Sequence, residues 1–327
     1  MVHFQDAISQ EKFAGIASRR EQGRHSIYTV SRFGPSSKAL ASGVNAVLSP
    51  SDGLTAYLVL VYALEVAHDL AFLATLDYTP LQVTFDGVQQ ALPTTRFEPG
   101  TMRAFRLSLT EVPEGLHALV ISYLIDPDYY PDFPHPEPDE RLAEYVGLSA
   151  LPFELGITLY VTPTPPAAIT DWPAQARAFP PEETVRLSQA VLMDDCPPDG
   201  SRMVLTRDTA TAGQDKAYLV RFTGSAYTEA AQCPDMPVRI VVLWDEVLTQ
   251  VEDLDVPVGD CEQRTCFPLA VRVPSDLAQG THSLTVMAYP YPYYLRSWRM
   301  ADGRFAWMAN TTYMGYPMGR VSVEVSR

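Results

Sequence analysis

PEGLHALVISYLIDPDYYP at residues 113–131 and AQGTHSLTVMAYPYPYYLR at 278–296 are one stretch written twice. Aligned, they pair Gly115 with Gly280, His117 with His282, Leu119 with Leu284, Pro127 with Pro292 and Tyr129 with Tyr294, all at one offset of 165 residues. A repeat of that length reads as a duplicated domain and not as a solenoid unit. The match continues outward: AYLVLV at 56–61 answers AYLVRF at 217–222, VTFDGV at 83–88 answers VLWDEV at 242–247, FRLSL at 105–109 answers LAVRV at 269–273, and ITLYV at 157–161 answers VSVEV at 321–325. The offsets drift between 159 and 165, which places short insertions in loops between elements of constant length.

The pattern within each copy is that of antiparallel strands. Leu81, Val83 and Phe85 alternate with Gln82, Thr84 and Asp86, and Ile240, Val242 and Trp244 repeat the alternation. Short strands separated by turn residues, with no strong helix between them, predict an all-β chain of two tandem sandwiches. The expected limits are a lead segment at 1–40, domain 1 at 41–162, a Pro-rich linker and lead-in at 163–200, and domain 2 at 201–327. Six prolines between 162 and 184 remove backbone donors and favour extended, semi-rigid chain. In the lead segment, the spacing of Phe4, Ile8, Phe13, Ile16 and Ala17 predicts a short amphipathic helix, and 26–34 a strand.

These features resemble the immunoglobulin and fibronectin type III sandwiches found in many bacterial cell-surface proteins. Trp244, with Phe85 in the first copy, falls where that fold keeps a buried aromatic on strand C, and the anchor stretch falls on strand F. Gly-x-His-x-Leu is similar to the tyrosine-corner sequence Gly-x-Tyr-x-Cys, with His117 and His282 at the tyrosine position and Leu119 and Leu284 at the cysteine position. The resemblance implies a fold and no activity.

Charge and composition exclude several functions. With 24 basic and 39 acidic residues the chain carries a net −15, the wrong sign for gripping nucleic-acid phosphates. The apolar run 54–76 has the length of a membrane span but carries Glu65, His68 and Asp69 near its middle, so two buried strands are the better reading. The first twenty residues have no signal-peptide core. All four cysteines, Cys196, Cys233, Cys261 and Cys266, lie in the second half. Cys261 with Cys266 and Cys196 with Cys233 is the favoured pairing, four reduced thiols being the alternative. No C-x-x-C pair supports zinc. Asp126-x-Asp-x-x-x-Asp lacks the glycine and closing glutamate of a calcium loop and reads as a solvated acidic stretch. No cofactor is expected.

No nucleophile with an assignable base appears, and His117 and His282 read as corner residues bonded to backbone. The expectation is therefore a non-enzymatic protein, extracellular or at a cell surface, whose long F-to-G connections, 126–156 and 289–320, bind a protein partner or a second copy. Tyr129, Tyr130 and Phe133 in the first, and Tyr293, Tyr294, Arg296, Trp298, Arg299 and Trp307 in the second, are the candidate contact residues. Eight acidic residues against Arg141 give the first connection −7, and four arginines against Asp302 give the second +3, opposite signs that would steer one towards the other. The competing expectation is a carbohydrate-binding module with aromatics stacked on sugar faces.

Overall fold

The computed structural model describes residues 2–6, 27–33, 39–40, 45–48, 54–62, 66–85, 87–90, 92–109, 112–130, 154–163, 177–178, 185–194, 205–226, 235–256, 264–290, 292, 294–299, 305–309 and 316–327. Every regular element among them is a strand. No described helix is long and apolar enough to cross a membrane. In chain order the first strands are β1 (Val2–Asp6), β2 (Ile27–Phe33), β3 (Ala39–Leu40), β4 (Asn45–Leu48), β5 (Leu54–Tyr62), β6 (His68–Leu76), β7 (Thr79–Pro80) and β8 (Val83–Phe85). Then come β9 (Val88–Gln90), β10 (Thr94–Phe97), β11 (Met102–Leu109), β12 (Gly115–Ile125), β13 (Glu154–Val161), β14 (Arg177–Ala178), β15 (Val185–Met193) and β16 (Arg207–Thr211). The last are β17 (Asp215–Ala226), β18 (Met236–Trp244), β19 (Val247–Val256), β20 (Arg264–Arg272), β21 (Gly280–Pro290), β22 (Tyr294–Arg299), β23 (Phe305–Ala309) and β24 (Tyr316–Ser326).

Two compact units result. Unit 1 holds Met1–Asp126, Phe153–Ala178 and Tyr293–Thr311; unit 2 holds Pro127–Pro152, Phe179–Pro292 and Thr312–Arg327.

Unit 2 has the immunoglobulin-like strand order. One sheet runs β15-β17-β20 and the other β16-β24-β21-β18-β19, which are strands A-B-E and A′-G-F-C-C′. Trp244 at the end of strand C is buried and donates from Nε1 to the carbonyl of Arg272 on strand E, 3.1 Å away, so the sequence-based expectation for this residue holds. At the side of the sandwich Gln250 of β19 donates from Nε2 to the Ala270 carbonyl at 2.9 Å and accepts from the Arg272 N–H at 3.1 Å.

Unit 1 repeats the plan. Its sheet β10-β6-β12-β13-β4 places C, F, G and A′ in the same succession, and its second sheet is β3-β2-β5-β11-β1-β8-β9. Phe72 from the first sheet meets Phe105 from the second edge-on at 5.3 Å and Tyr123 at 5.5 Å. Each such buried ring contributes about 1.5–3 kcal/mol from area alone. The Arg103 guanidinium lies 5.2 Å over both Phe97 and Phe105 and closes one end of the cluster.

Two sequence-based expectations are corrected. Val2–Asp6 is a strand and not the start of a helix, because it fills a slot between β11, antiparallel, and β8, parallel, and ladders with both. Ile8, Phe13, Ile16 and Ala17 lie outside the described residues. Phe85 is not on strand C. The strand paired with β12 is β6, where Leu76 stands opposite Leu119 as Trp244 stands opposite Leu284, whereas β8 belongs to the other sheet. The two copies of strand C are thus 168 residues apart and not 159. The cause is local likeness between two hairpins. Phe85 pairs with Val88 across one two-residue turn and Leu76 with Thr79 across another, and the F-D-G-V letters imitate the wrong one. The expected strands at 26–34 and 157–161 are present as β2 and within β13, and of the Pro-rich stretch Thr162, Pro163 and Arg177–Ala178 are described, the last two paired in parallel with β22.

Candidate functional site

Strand F begins in each unit at a glycine held at positive φ, 131° at Gly115 and 142° at Gly280, a region that side chains with a Cβ avoid. That bend lets the histidine two residues on fold back over the preceding loop. His117 Nε2 donates to the Pro113 carbonyl at 2.9 Å, and His282 Nε2 donates to the Ala278 carbonyl at 2.9 Å. The reading of corner histidines bonded to backbone is met.

Each histidine also has an acidic partner. His117 Nδ1 meets Asp77 Oδ2 at 2.7 Å, while Asp77 Oδ1 accepts the Ala118 N–H at 3.0 Å. His282 Nδ1 meets Asp245 Oδ2 at 2.6 Å, while Asp245 Oδ1 accepts the Ser283 N–H at 2.9 Å. Both aspartates are the first residue of the two-residue turn that ends strand C. Asp77 and Tyr78 have φ of 52° and 65°, and Asp245 and Glu246 have 47° and 66°. Such type I′ turns suit Asn-Gly or Asp-Gly. A bulky residue at left-handed φ costs of order 1–3 kcal/mol, which the clamp to strand F offsets.

Both ring nitrogens of His282 face acceptors, which favours the imidazolium. The hydrogen bond that His282 donates to Asp245 holds the His282 pKa above its ordinary value, with burial opposing. For Asp245, burial works to raise the pKa, but the bonds from His282 and from Ser283 hold it below the ordinary carboxylate value.

A third pair occurs in unit 1. His68 Nδ1 meets Asp126 Oδ2 at 2.6 Å, both side chains being fully buried, and Asp126 Oδ1 accepts the Asp69 N–H at 2.9 Å. This pair ties the start of strand C to the residue that follows strand F, the root of the first F-to-G connection. Asp126 is therefore committed internally, although sequence reasoning counts it among the loop charges and in the acidic spacing that hints at calcium. Arg320, counted in the second connection, lies in β24. It donates to Glu246 Oε1 at 2.7 Å, Thr285 Oγ1 at 2.9 Å and the Pro127 carbonyl at 2.6 Å. Within unit 2 the Tyr130 carbonyl accepts from Arg207 Nε and Nη2 at 3.3 and 3.1 Å. Tyr129 and Tyr130 are half-buried, and burial raises the Tyr130 pKa against the influence of Arg320.

Tyr294, Arg296, Trp298 and Arg299 lie on β22 and Trp307 on β23. These strands form one antiparallel hairpin in which Ser297 stands opposite Trp307 and Trp298 opposite Ala306. Phe133 and Tyr293 lie outside the described residues. Cys266 is disulfide-bonded. Cys196, Cys233 and Cys261 lie outside the described residues, as does the expected pairing. No group of three or more metal-ligating side chains is present among the described residues.

Asp77, Asp245 and His68 are the site residues that sequence reasoning missed. The signal for the first two was the aspartate opening a two-residue turn in both copies, LDYT and WDEV, masked by the competing FDGV.

No protein-family model matches the chain, and no curated protein matches it. Among solved structures it is similar to the CBD12 crystal structure from CALX1.2, at 8% identity and a TM-score of 0.22, over 80% of this chain and 82% of that one. It is also similar to the calcium binding domain CBD12 of CALX1.1, at 9% identity and TM-score 0.21, over 80% of each chain. SSP-19, an MSP-domain protein like family member of Caenorhabditis elegans, is similar at 11% identity and TM-score 0.19, over 36% of this chain and 94% of that one. The fold assignment stands on the strand order given above.

Proposed function

We propose that the chain is a non-enzymatic, extracytoplasmic structural or interaction protein built from a duplicated immunoglobulin-like domain, and that it binds a protein partner or a second copy of itself through its F-to-G segments. The observation that carries this reading is the bracing at the root of the first segment. Asp126 is locked to His68, and the next residues are gripped through the Pro127 and Tyr130 carbonyls by Arg320 and Arg207. A segment held in place at its root presents its aromatic residues at low entropic cost, which is what a recognition surface needs. The Cys266 disulfide supports a location outside the reducing cytosol.

With Asp126 and Arg320 committed internally, the charges left for steering are those beyond residue 127 in the first segment, and Arg296, Arg299 and Arg304 in the second. Sedimentation velocity across a salt series tests this. The expected result is an oligomer that dissociates as salt rises and is lost in the double variant Arg296→Glu, Arg299→Glu. A monomer at every salt concentration, or an oligomer untouched by the double variant, refutes steering by these arginines.

A further inference from the structure

Strand E closes the A-B-E sheet of unit 2 with an edge that is sealed. The residues of β20 in step with Ala270 turn their backbone groups to that edge. Pro268 brings no N–H there, the Gln250 amide serves the Ala270 carbonyl and the Arg272 N–H, and Trp244 Nε1 takes the Arg272 carbonyl at 3.1 Å. Among the described residues no strand pairs with β20 on that side.

Unit 1 treats the same edge differently. FRLSL at 105–109 answers LAVRV at 269–273, with Phe105 and Leu109 buried as Leu269 and Val273 are, so Arg106 and Ser108 correspond to Ala270 and Arg272. The three seals are replaced. Leu76 stands where Trp244 does and carries no donor, and Ala104 corresponds to Pro268. Gln82 follows the turn-closing Thr79 by three residues, as Gln250 follows Val247, but it accepts from Gln89 Nε2 at 3.2 Å. What fills the edge is β1. It runs antiparallel to β11, with Val2 opposite Leu109, His3 opposite Ser108 and Gln5 opposite Arg106. On its other side it runs parallel to β8, with Val2 opposite Val83 and Phe4 opposite Phe85. The other neighbour of β8 is β9, so among the described residues β1 is what joins that hairpin to the rest of the sheet. A strand in this slot ladders on both sides, where a strand added to an open edge ladders on one.

We infer that the slot between β11 and β8 is a strand-acceptor site, filled here by Val2–Asp6 of the same chain and able to take Val2–Asp6 of a second copy. The backbone bonds are the same whichever copy supplies the strand, so exchange between copies costs little beyond association. Residues 7–26 separate β1 from β2 in the sequence, and a connection of that length spans at most about 70 Å, enough to serve a neighbouring molecule. Protein concentration then decides which copy is served. This association uses none of the F-to-G residues and does not rest on their binding.

Disulfide trapping on the full-length chain tests it. His3 and Ser108 are opposite in the ladder, and the Cα atoms of opposite residues lie roughly 4.5–5.5 Å apart, within disulfide reach. The double variant His3→Cys, Ser108→Cys should close within one chain. A mixture of the two single variants, concentrated at high salt and then oxidised, should give a covalent heterodimer that peptide mapping shows linked from position 3 to position 108. Gln5→Pro in the His3→Cys chain removes a ladder donor and should abolish the heterodimer, as should an excess of the free peptide MVHFQDAI. A double variant that closes while the mixture yields no heterodimer overturns the exchange, and a double variant that does not close overturns the site itself. A heterodimer that survives Gln5→Pro reports collision of thiols and also overturns the exchange.

Discussion

Removing the Asp245 carboxylate isolates what the corner clamp is worth. In Asp245→Ala the His282 ring loses a charge-assisted bond of 2.6 Å, the Ser283 N–H loses its acceptor at 2.9 Å, and alanine must take φ of 47°. A bond to a charged group contributes about 1.5–3 kcal/mol, here at the low end because the Asp245 side chain is 46% exposed to screening solvent. The backbone bond adds roughly 1 kcal/mol. Left-handed φ at alanine adds a further ~1 kcal/mol, so the whole comes to about 3.5 kcal/mol. Asp245→Asn keeps the left-handed tolerance and an acceptor for Ser283 and loses only the charge, for an expected loss of about 1 kcal/mol. Native-state hydrogen exchange of Val238–Trp244 reads both losses within unit 2.

The pH dependence supplies the control. The raised His282 pKa contributes stability that is complete below the unfolded histidine value of about 6.5 and disappears as pH rises through the folded value. The lowered Asp245 pKa contributes stability present above its unfolded value of about 3.9 and lost as pH falls through the folded one. Both are whole between roughly pH 4 and 6.5, so wild type should be more protected at pH 6 than at pH 9 after correction for intrinsic exchange, and Asp245→Asn should flatten that difference. Equal losses in the alanine and asparagine variants, with the pH slope intact, would refute the assignment of the clamp to an ion pair.

Three further outcomes are expected. His68→Leu removes the 2.6 Å imidazole bond from the buried Asp126 carboxyl and should destabilise unit 1 by about 1–3 kcal/mol in denaturant unfolding, whereas the double change His68→Leu, Asp126→Leu should recover part of that loss. Trp244→Phe removes the bond to the Arg272 carbonyl, for about 0.5–1.5 kcal/mol by thermal melting of unit 2. At Gly280 an added Cβ meets nothing within 4 Å, so Gly280→Ala should cost only the backbone strain, about 1–3 kcal/mol by the same assay.

Strand F was legible because its register is carried by residues with no alternative: a glycine at positive φ, then a histidine, then an apolar run, in both copies. Strand G followed from it, with Gly115 opposite Val161 and Gly280 opposite Val325 as the aligned letters imply. Strand C of the first copy was not legible, since Leu76 takes the place of Trp244 and the neighbouring FDGV supplies a better letter match in a different sheet. The His68–Asp126 pair could not be read at all, because its members are 58 positions apart and have no counterpart in the second repeat. The burial of both sheet faces was legible in principle. Unbroken runs such as LAFLATL gave the membrane-like stretch, and in the structure they form strands buried along both faces.

Gln250 has a consequence for life in a crowded solution. Among the described residues the sheet β15-β17-β20 ends at β20, and a terminal strand normally offers a row of open backbone groups on which a foreign strand can template itself. The Gln250 side-chain amide occupies one acceptor and one donor of that row, at Ala270 and Arg272, as a neighbouring peptide group would. A single amide thus takes, at two backbone groups, the place that a neighbouring strand would hold.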